Sequence, residues 1–300
     1  MNDPAVTATG LRKSFGRKQA VAGLDLMAPR GSIYGVLGPN GAGKTTSLRI
    51  LMGIIEPDAG ERRVLGALRP REVSDRIGYL PEERGLYPSM KARDAIAFMG
   101  ALRGLDWREG RRRGAEMLEA TGLNVPPGEK IRNLSKGMAQ LVQLIGSMVH
   151  RPDLLVLDEP FSGLDPVNQE KLEALIIGER DRGATVLFST HVMAHAQRLC
   201  DRLAIIAGGE RRFEGTVDEA RALLPMQAQL TPRRDAPGTD TLLPPGAVRS
   251  GQAYLFDVPP EGIEPVLERL IASGQGVASL SVERPALHDV FVKLVREAGA

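Results

Sequence analysis

The sequence contains little cysteine and no long hydrophobic run. Its one cysteine, Cys200, cannot form an intrachain disulfide, which favours a reducing compartment and a role for Cys200 as a small apolar filler. No stretch reaches the ~20 consecutive apolar residues of a membrane-spanning helix. The N-terminus, Met1-Asn2-Asp3-Pro4, lacks the basic start and apolar core of a signal peptide. These absences predict a protein that depends on another chain for any membrane channel.

An excess of charge of either sign is also missing. The 39 basic and 37 acidic residues leave a formal net charge of +2, so nucleic acid is not expected as the main partner. Hydrophobic residues make up 42% of the 300 residues, enough for one large domain and a smaller one. The sequence shows no internal repeat.

The first two-thirds of the chain alternates between strand-like and helix-like patterns. Residues 32–37, 154–157 and 185–188 are short apolar runs typical of buried parallel strands. Residues 203–207 and 211–214, separated by two glycines, indicate a hairpin. The pattern is helical over about 92–149. We therefore predict an α/β core over residues 1–224 with an inserted helical subdomain.

The last quarter of the chain has a different pattern. Residues 231–250 are rich in proline, glycine and charge and predict a long loop. Strand patterns at 226–230, 253–258 and 277–282 and helical spacing at 263–271 and 287–295 predict a ββαβα arrangement. We therefore predict a small α+β C-terminal domain over residues 225–300.

The most specific local pattern is a phosphate-binding loop. It reads Gly38-Pro39-Asn40-Gly41-Ala42-Gly43-Lys44-Thr45-Thr46, after a buried strand and before a helix. Backbone N–H groups at Gly38, Asn40, Gly41 and Gly43 would surround phosphate, together with the positive end of the helix. Lys44 is predicted to contact the β- and γ-phosphates, Thr45 a Mg²⁺ ion, and Thr46 the α-phosphate. The alternative, a chance glycine turn, does not explain the flanking elements.

Two carboxylates end the buried strand at Leu157. Asp158 would be costly to bury without a partner, and Mg²⁺ held through water is the predicted partner. Glu159 is predicted to orient or deprotonate the attacking water. The alternative is that these carboxylates cap a following helix.

Three further segments, together with those two, form an ordered set. They are Leu134-Ser135-Lys136-Gly137-Met138-Ala139-Gln140, Ser162-Gly163-Leu164-Asp165 and Ser189-Thr190-His191. The set resembles the ATP-binding subunits of ABC transporters. The resemblance implies a P-loop NTPase core, ATP and Mg²⁺ as cofactors, ATP hydrolysis, and a separate transmembrane permease. The 78–87 and 287–291 stretches resemble sodium-efflux and ABC-2-type exporters, which favours export.

The resemblance also implies roles for residues outside the phosphate loop. His191 resembles the switch histidine that contacts the γ-phosphate. Ser135 and Gly137 belong to the signature loop, which caps ATP held by a partner subunit, and Asp165 is expected at the same interface. A second ATP-binding subunit, identical or different, is therefore expected. Phe15 resembles the aromatic that stacks on adenine; the alternative is a core or strand-edge phenylalanine.

The chain departs from the family pattern at two positions. Glu82 stands where glutamine is usual, and we predict that it contacts Mg²⁺ or water. Lys136 stands where the signature loop usually has glycine, and we predict that it tunes closure of the dimer. Residues 83–90, with Tyr87, are a candidate surface for the permease. His195 belongs to no motif and is expected at the surface.

Two other function classes compete with transport. A soluble ABC-type ATPase of translation or DNA maintenance usually carries two ATP sites or a long coiled coil, and this chain has neither. A phosphate-loop kinase does not account for the signature loop or for His191. The sequence therefore predicts an ATPase subunit attached peripherally to the cytoplasmic face of a membrane.

Overall fold

The computed structural model describes residues 3–83, 85–122, 125–126 and 128–299. Helices and strands alternate through most of the chain. The strands are β1 Val6–Phe15, β2 Lys18–Ala28, β3 Ile33–Leu37, β4 Ala59–Val64, β5 Ile77–Leu80, β6 Leu154–Leu157, β7 Thr185–Thr190, β8 Arg202–Ala207, β9 Glu210–Gly215, β10 Gln227–Pro232, β11 Val248–Ser250, β12 Ala253–Asp257 and β13 Val277–Glu283. The helices are α1 Lys44–Leu51, α2 Ala92–Ala101, α3 Trp107–Ala120, α4 Lys136–Met148, α5 Pro166–Asp181, α6 Met193–Leu199, α7 Val217–Arg221, α8 Thr239–Leu242, α9 Glu264–Ala272 and α10 Leu287–Gly299.

The chain divides into two compact units. The larger unit contains the chain up to Val217 together with the end of α10 from Leu294 onward. The smaller unit is Asp218–Lys293. The predicted boundary between residues 224 and 225 stays a prediction. No helix of the described residues is both long and apolar enough to cross a membrane.

A six-stranded sheet in the order β5-β6-β7-β3-β8-β9 forms the centre of the larger unit. Neighbouring strands from β5 to β8 are parallel, and β9 is antiparallel at the edge. The four residues of β6 are fully buried and point alternately into two hydrophobic clusters. A strand covered on both faces needs a continuous apolar run, as its sequence predicted.

The two faces of this sheet are covered by different elements. One cluster includes α1 and the antiparallel three-stranded sheet β2-β1-β4. The other includes residues of α2, α3, α4 and α5, such as Ile96, Leu118, Leu144 and Leu172. Helices α2, α3 and α4 occupy the part of the chain for which a helical subdomain was predicted.

The predicted hairpin is present as β8 and β9. They are joined at Gly208 and Gly209, which both have positive φ, at +62° and +78°. This geometry matches a two-residue turn that favours glycine at both positions. The mixed α/β architecture predicted for the core is therefore confirmed.

The smaller unit contains a four-stranded antiparallel sheet in the order β11-β12-β10-β13. Its core is formed by Ala228, Leu230, Leu243, Tyr254, Phe256, Val266 and Leu270. The expectation of a loop over residues 231–250 is wrong at three places, because β10 continues to Pro232 and is followed by α8 and β11. Helix α8 and strand β11 are too short, at four and three residues, for periodicity to show.

Candidate functional site

The predicted site residues meet at one edge of the six-stranded sheet. Strands β5, β6, β7 and β3 are parallel neighbours, so their carboxyl ends lie side by side, with Leu157 paired to Phe188 and Leu37 paired to Thr190. Asp158, His191 and Gly38 directly follow three of these strands, and Glu82 lies two residues after the end of β5. Open parallel sheets bind ligands at this edge.

The phosphate loop folds around the side chain of Lys44. Its ammonium donates to the Gly38 carbonyl at 2.8 Å and to the Pro39 carbonyl at 3.3 Å, and the residue is 6% exposed. Gly43 has φ +102°, and a Cβ there would stand 2.3 Å from the Ala20 carbonyl oxygen. Only glycine fits, because both the backbone conformation and the space exclude a side chain. The first turn of α1 has no acidic residue, which leaves its positive end uncompensated.

Asp158 lies beside the phosphate loop and is fully buried. Its Oδ1 accepts hydrogen bonds from Thr45 at 3.1 Å and Ser189 at 2.6 Å, whereas Oδ2 is buried with no hydrogen-bond donor among the described residues. Burial raises the pKa of this carboxyl, and the hydrogen bonds from Ser189 and Thr45 oppose that shift. Carboxylate and hydroxyl oxygens beside an unsatisfied acceptor fit a hard divalent cation such as Mg²⁺.

Glu159 sits between a lysine and a histidine. One carboxylate oxygen lies 3.1 Å from the Lys44 ammonium, and the other lies 3.0 Å from His191 Nδ1. The Glu159 backbone has φ +46°, in the left-handed region. For a non-glycine residue this costs of order 1–3 kcal/mol and is common at functional sites. The amide of Glu159 donates to Ser189 Oγ at 2.9 Å, so Ser189 links both carboxylate residues to β7.

Most of these residues line one cavity of about 440 Å³, whereas Gly38, Asp158 and Ser189 are not among its lining residues. Most of the predicted nucleotide and magnesium contacts are in its wall. The lining residues are Lys18, Ala20, Pro39, Asn40, Gly41, Gly43, Lys44, Thr45, Thr46, Glu82, Glu159, Ser162 and His191. Glu82, the departure from the usual glutamine, is among the lining residues, and its contact with a cation or water stays a prediction. Lys18 and Ser189 were not singled out from the sequence, although Ser189 is part of the quoted Ser189-Thr190-His191 segment.

The signature-loop residues form a second group outside the cavity wall. Ser135 caps α4 by accepting a hydrogen bond from the Met138 amide at 3.2 Å. Asp165 caps α5 through the Asn168 amide at 3.0 Å, and the hydrogen bonds from Asn168 lower the pKa of its carboxyl. A Cβ on Gly137 would stand 2.7 Å from Asn168 Nδ2, so the two helix starts lie against each other.

The structure tests the positions that the sequence predicted for Phe15 and His195. Phe15, at the end of β1, is 51% exposed with the Lys13 ammonium 5.8 Å from its ring centroid, which excludes a core position. It is not among the described residues that line the cavity, and its adenine contact stays a prediction. The expectation that His195 lies at the surface is wrong, since it is 4% exposed and stacks on Phe161.

Comparison with known proteins agrees with this geometry. Residues 21–162 match the family model described as "ABC transporter". The chain is similar to the ABC transporter ATP-binding protein YhaQ of Bacillus subtilis (strain 168), with 36% identity covering 97% of this chain and 98% of that protein. The chain belongs to the ABC transporter family. It is an ATP-binding subunit, with the P-loop NTPase fold of that family, and it hydrolyses ATP.

Other relatives of this ABC subunit include resistance proteins. The daunorubicin resistance ATP-binding protein DrrA3 of Streptomyces coeruleorubidus is 34% identical over 98% of this chain and 96% of that protein. A solved structure of the ATP-binding subunit of an ABC transporter has a TM-score of 0.67 and 28% identity, covering 73% of this chain and 92% of that one. The predicted resemblance, fold and ATPase activity are therefore confirmed.

Proposed function

We propose that the cavity binds the triphosphate of ATP and that Glu159 directs hydrolysis there. The observation that carries this proposal is the position of Glu159, whose carboxylate bridges Lys44 and His191 at the carboxyl edge of the sheet. Lys44 and the amides of Asn40, Gly41 and Gly43 bind phosphate oxygens, and Thr46 reaches the α-phosphate.

In the hydrolytic step, Glu159 orients a water molecule and accepts its proton as the water oxygen attacks the γ-phosphorus. The bond from that phosphorus to the bridging oxygen of ADP breaks, which gives ADP and inorganic phosphate. Lys44 and His191 hold the γ-phosphate oxygens while negative charge shifts toward ADP. Both side chains already contact the carboxylate of Glu159, so base and electrophiles are held in one arrangement.

The oxygen atoms beside Thr45 are proposed to hold Mg²⁺. Thr45 supplies its hydroxyl, Asp158 acts through the acceptor that lacks a donor among the described residues, and Glu82 faces the same cavity. With Mg²⁺ bound there, these residues would hold a cation that would offset the negative charge of the phosphates. A carboxylate at Glu82 in place of an amide can only accept hydrogen bonds, which favours a cation contact over a phosphate contact.

Two copies of an ATP-binding subunit are proposed to complete each site. Ser135, Gly137 and Asp165 are not in the cavity wall of this chain, and the family resemblance assigns them to ATP held by a partner subunit. The chain has one set of the five motifs, so a homodimer or a heterodimer provides the missing half. Dimer closure stores binding energy that hydrolysis releases.

A separate permease is proposed to bind beside Glu82. A cavity of about 290 Å³ lies there, lined by apolar residues that include Leu86, Tyr87, Met90 and Phe98. Tyr87 is 59% exposed and contacts Phe98 edge-to-face, 6.1 Å between centroids. Arg84, within the predicted permease surface, lies outside the described residues. The resistance relatives favour export, from a position at the cytoplasmic face of the membrane.

A pulldown from native membranes tests this assignment. The tagged chain is solubilised in mild detergent, and co-purifying proteins are identified by mass spectrometry. We expect a multi-span membrane protein at near-stoichiometric yield, lost when Tyr87 is replaced by aspartate. Recovery of only soluble partners, with the chain absent from membrane fractions, would instead support a soluble ABC-type ATPase.

A further inference from the structure

A buried histidine that the proposed mechanism does not use lies close to Glu159. His195 is in α6 and is 4% exposed. Its imidazole stacks on the ring of Phe161, with 4.0 Å between centroids and 8° between planes. A parallel stack at this distance fixes the plane of the phenyl ring.

Phe161 connects this stack to both strands that carry the catalytic groups. It follows Glu159 by two residues and is 5% exposed. Its ring also meets Phe188 edge-to-face, with 6.0 Å between centroids and 79° between planes. Phe188 directly precedes Ser189, whose hydroxyl accepts the Glu159 amide hydrogen bond and donates to Asp158. The imidazole therefore supports the segment after β6 from one side while Ser189 supports it from another.

Glu159 needs such support because of its backbone conformation. A glutamate at φ +46° keeps this conformation only where its surroundings enforce it. The hydrogen bond to Ser189 fixes the amide of Glu159, and the Glu159 carbonyl accepts a hydrogen bond from the Ser162 amide at 3.1 Å. Phe161 lies within this turn, and the packing of its ring adds to these hydrogen bonds in holding the turn in place.

Charged side chains hold the imidazole in its orientation. His195 Nδ1 lies 3.2 Å from the Glu173 carboxylate and 3.1 Å from Nη2 of Arg198, which itself donates to Glu173 at 2.5 Å. Arginine only donates, so Nδ1 accepts from Arg198 in one tautomer and donates to Glu173 in the other. Both tautomers keep the ring parallel to Phe161.

We propose that His195 is a positioning residue for ATP hydrolysis, whose ring holds Phe161 and through it the turn that places the Glu159 carboxylate. This inference rests on the role proposed above for Glu159. The phosphate loop is a separate segment that His195 does not contact in the described hydrogen bonds and ring contacts. Loss of the ring should therefore lower kcat and leave nucleotide binding in place.

The test compares two variants of the full chain in Mg-ATP hydrolysis. His195→Gln removes the ring and keeps a polar side chain, and we expect kcat to fall about tenfold, because small misplacements of a catalytic group are costly. KM should stay within about twofold, since phosphate binding is unchanged. His195→Phe keeps an aromatic stack, and we expect kcat to return to within about threefold of wild type.

Two controls separate positioning from a general loss of packing. Leu199→Ala removes a buried side chain of the same helix, and we expect a lower Tm with an unchanged kcat per folded molecule. Phe161→Leu should lower kcat like His195→Gln, and the double variant should lose no more than the larger single loss, because both act through one contact. If His195→Gln does not fold, Phe161→Leu and His195→Phe carry the test.

Other outcomes overturn the inference. These are equal kcat losses in His195→Gln and His195→Phe, additive losses in the double variant, or an effect on KM alone. Glu159→Gln is assayed in parallel. Wild-type turnover in that variant would reject the proposed role of Glu159, whereas a slow Glu159→Gln beside an unaffected His195→Gln would reject only the positioning role.

Discussion

Hydrogen bonds at the cavity join residues far apart in the chain, whereas those of the Ser135 and Asp165 side chains join near neighbours. Thr45 and Asp158 are 113 positions apart and share a hydrogen bond, and Glu159 reaches His191 over 32 positions. By contrast, the described hydrogen bonds of the Ser135 and Asp165 side chains reach only three residues ahead.

This difference indicates how the two groups of residues are organised. The cavity is preorganised by tertiary contacts within one chain, which suits tight binding of a charged substrate. The starts of α4 and α5 are capped locally and lie against each other, and we propose that they also contact a second subunit. Variants of the cavity residues and variants at the starts of α4 and α5 should therefore separate nucleotide binding from dimer formation.

The largest effect is expected from Glu159→Gln. Loss of the proposed base should slow phosphate release about 10³-fold, within the usual range for general base catalysis. ATP should still bind, because the phosphate loop is intact, and the protein should accumulate as an ATP-bound dimer. Phosphate release and size-exclusion chromatography with and without ATP measure both effects. An ATP-bound monomer would contradict the proposed two-copy site.

Lys44→Ala should slow turnover about 10²-fold, since a preorganised donor to the phosphates is lost. Unlike Glu159→Gln, it should also weaken nucleotide binding, because Lys44 is proposed to contact phosphate in the ground state. Binding is measured with a fluorescent ATP analogue. Near-normal affinity would show that the phosphates lie elsewhere.

Gly137→Ala tests the second group of residues. The new Cβ would press on Asn168, whose side chain donates to Asp165 at 2.6 Å. We expect ATP-driven dimerisation and turnover to fall about tenfold, as for a misplaced catalytic contact, with nucleotide affinity of the single chain unchanged. Gly178→Ala is the matched control, because a Cβ there meets nothing within 4 Å.

A smaller effect is expected at Lys136. Its ammonium lies 2.6 Å from the place of a Cβ on Gly163, over the turn that leads to Asp165. Lys136→Gly should change turnover and dimerisation about threefold, as expected for one exposed charge. Lys136→Met keeps a long unbranched side chain and removes the positive charge. Unchanged behaviour in both variants would rule out a tuning role.

Asp158→Asn should give the smallest shift, a rise of a few degrees in Tm without nucleotide. Because the pKa of Asp158 is raised in the folded chain, its ionised form destabilises folding. That cost is absent below the unfolded pKa near 3.8 and grows as pH rises through the folded pKa. The Tm gain should thus be larger at about pH 7.5 than at about pH 4, and a constant gain would argue against this origin.

The meeting of Asp158 and His191 at one edge of the sheet could be predicted from the sequence, for a physical reason. Buried parallel strands are continuous apolar runs, and the residues after them meet at one edge, so Asp158 and His191 could be placed together. The burial of His195 could not be predicted, because α6 has seven residues and too few turns to show a face. The one hint in the sequence was Phe161, a large aromatic residue close to two carboxylates that needs a packing partner.

The left-handed backbone of Glu159 has a consequence for inherited variants. Among the amino acids one base change away from a glutamate codon are glycine and valine. Glycine relaxes the backbone at φ +46°, whereas a β-branched valine strains it. Valine is therefore expected to lower the amount of folded protein. Glycine should leave a well-folded subunit without the proposed base, so the milder structural change yields the more persistent inactive protein.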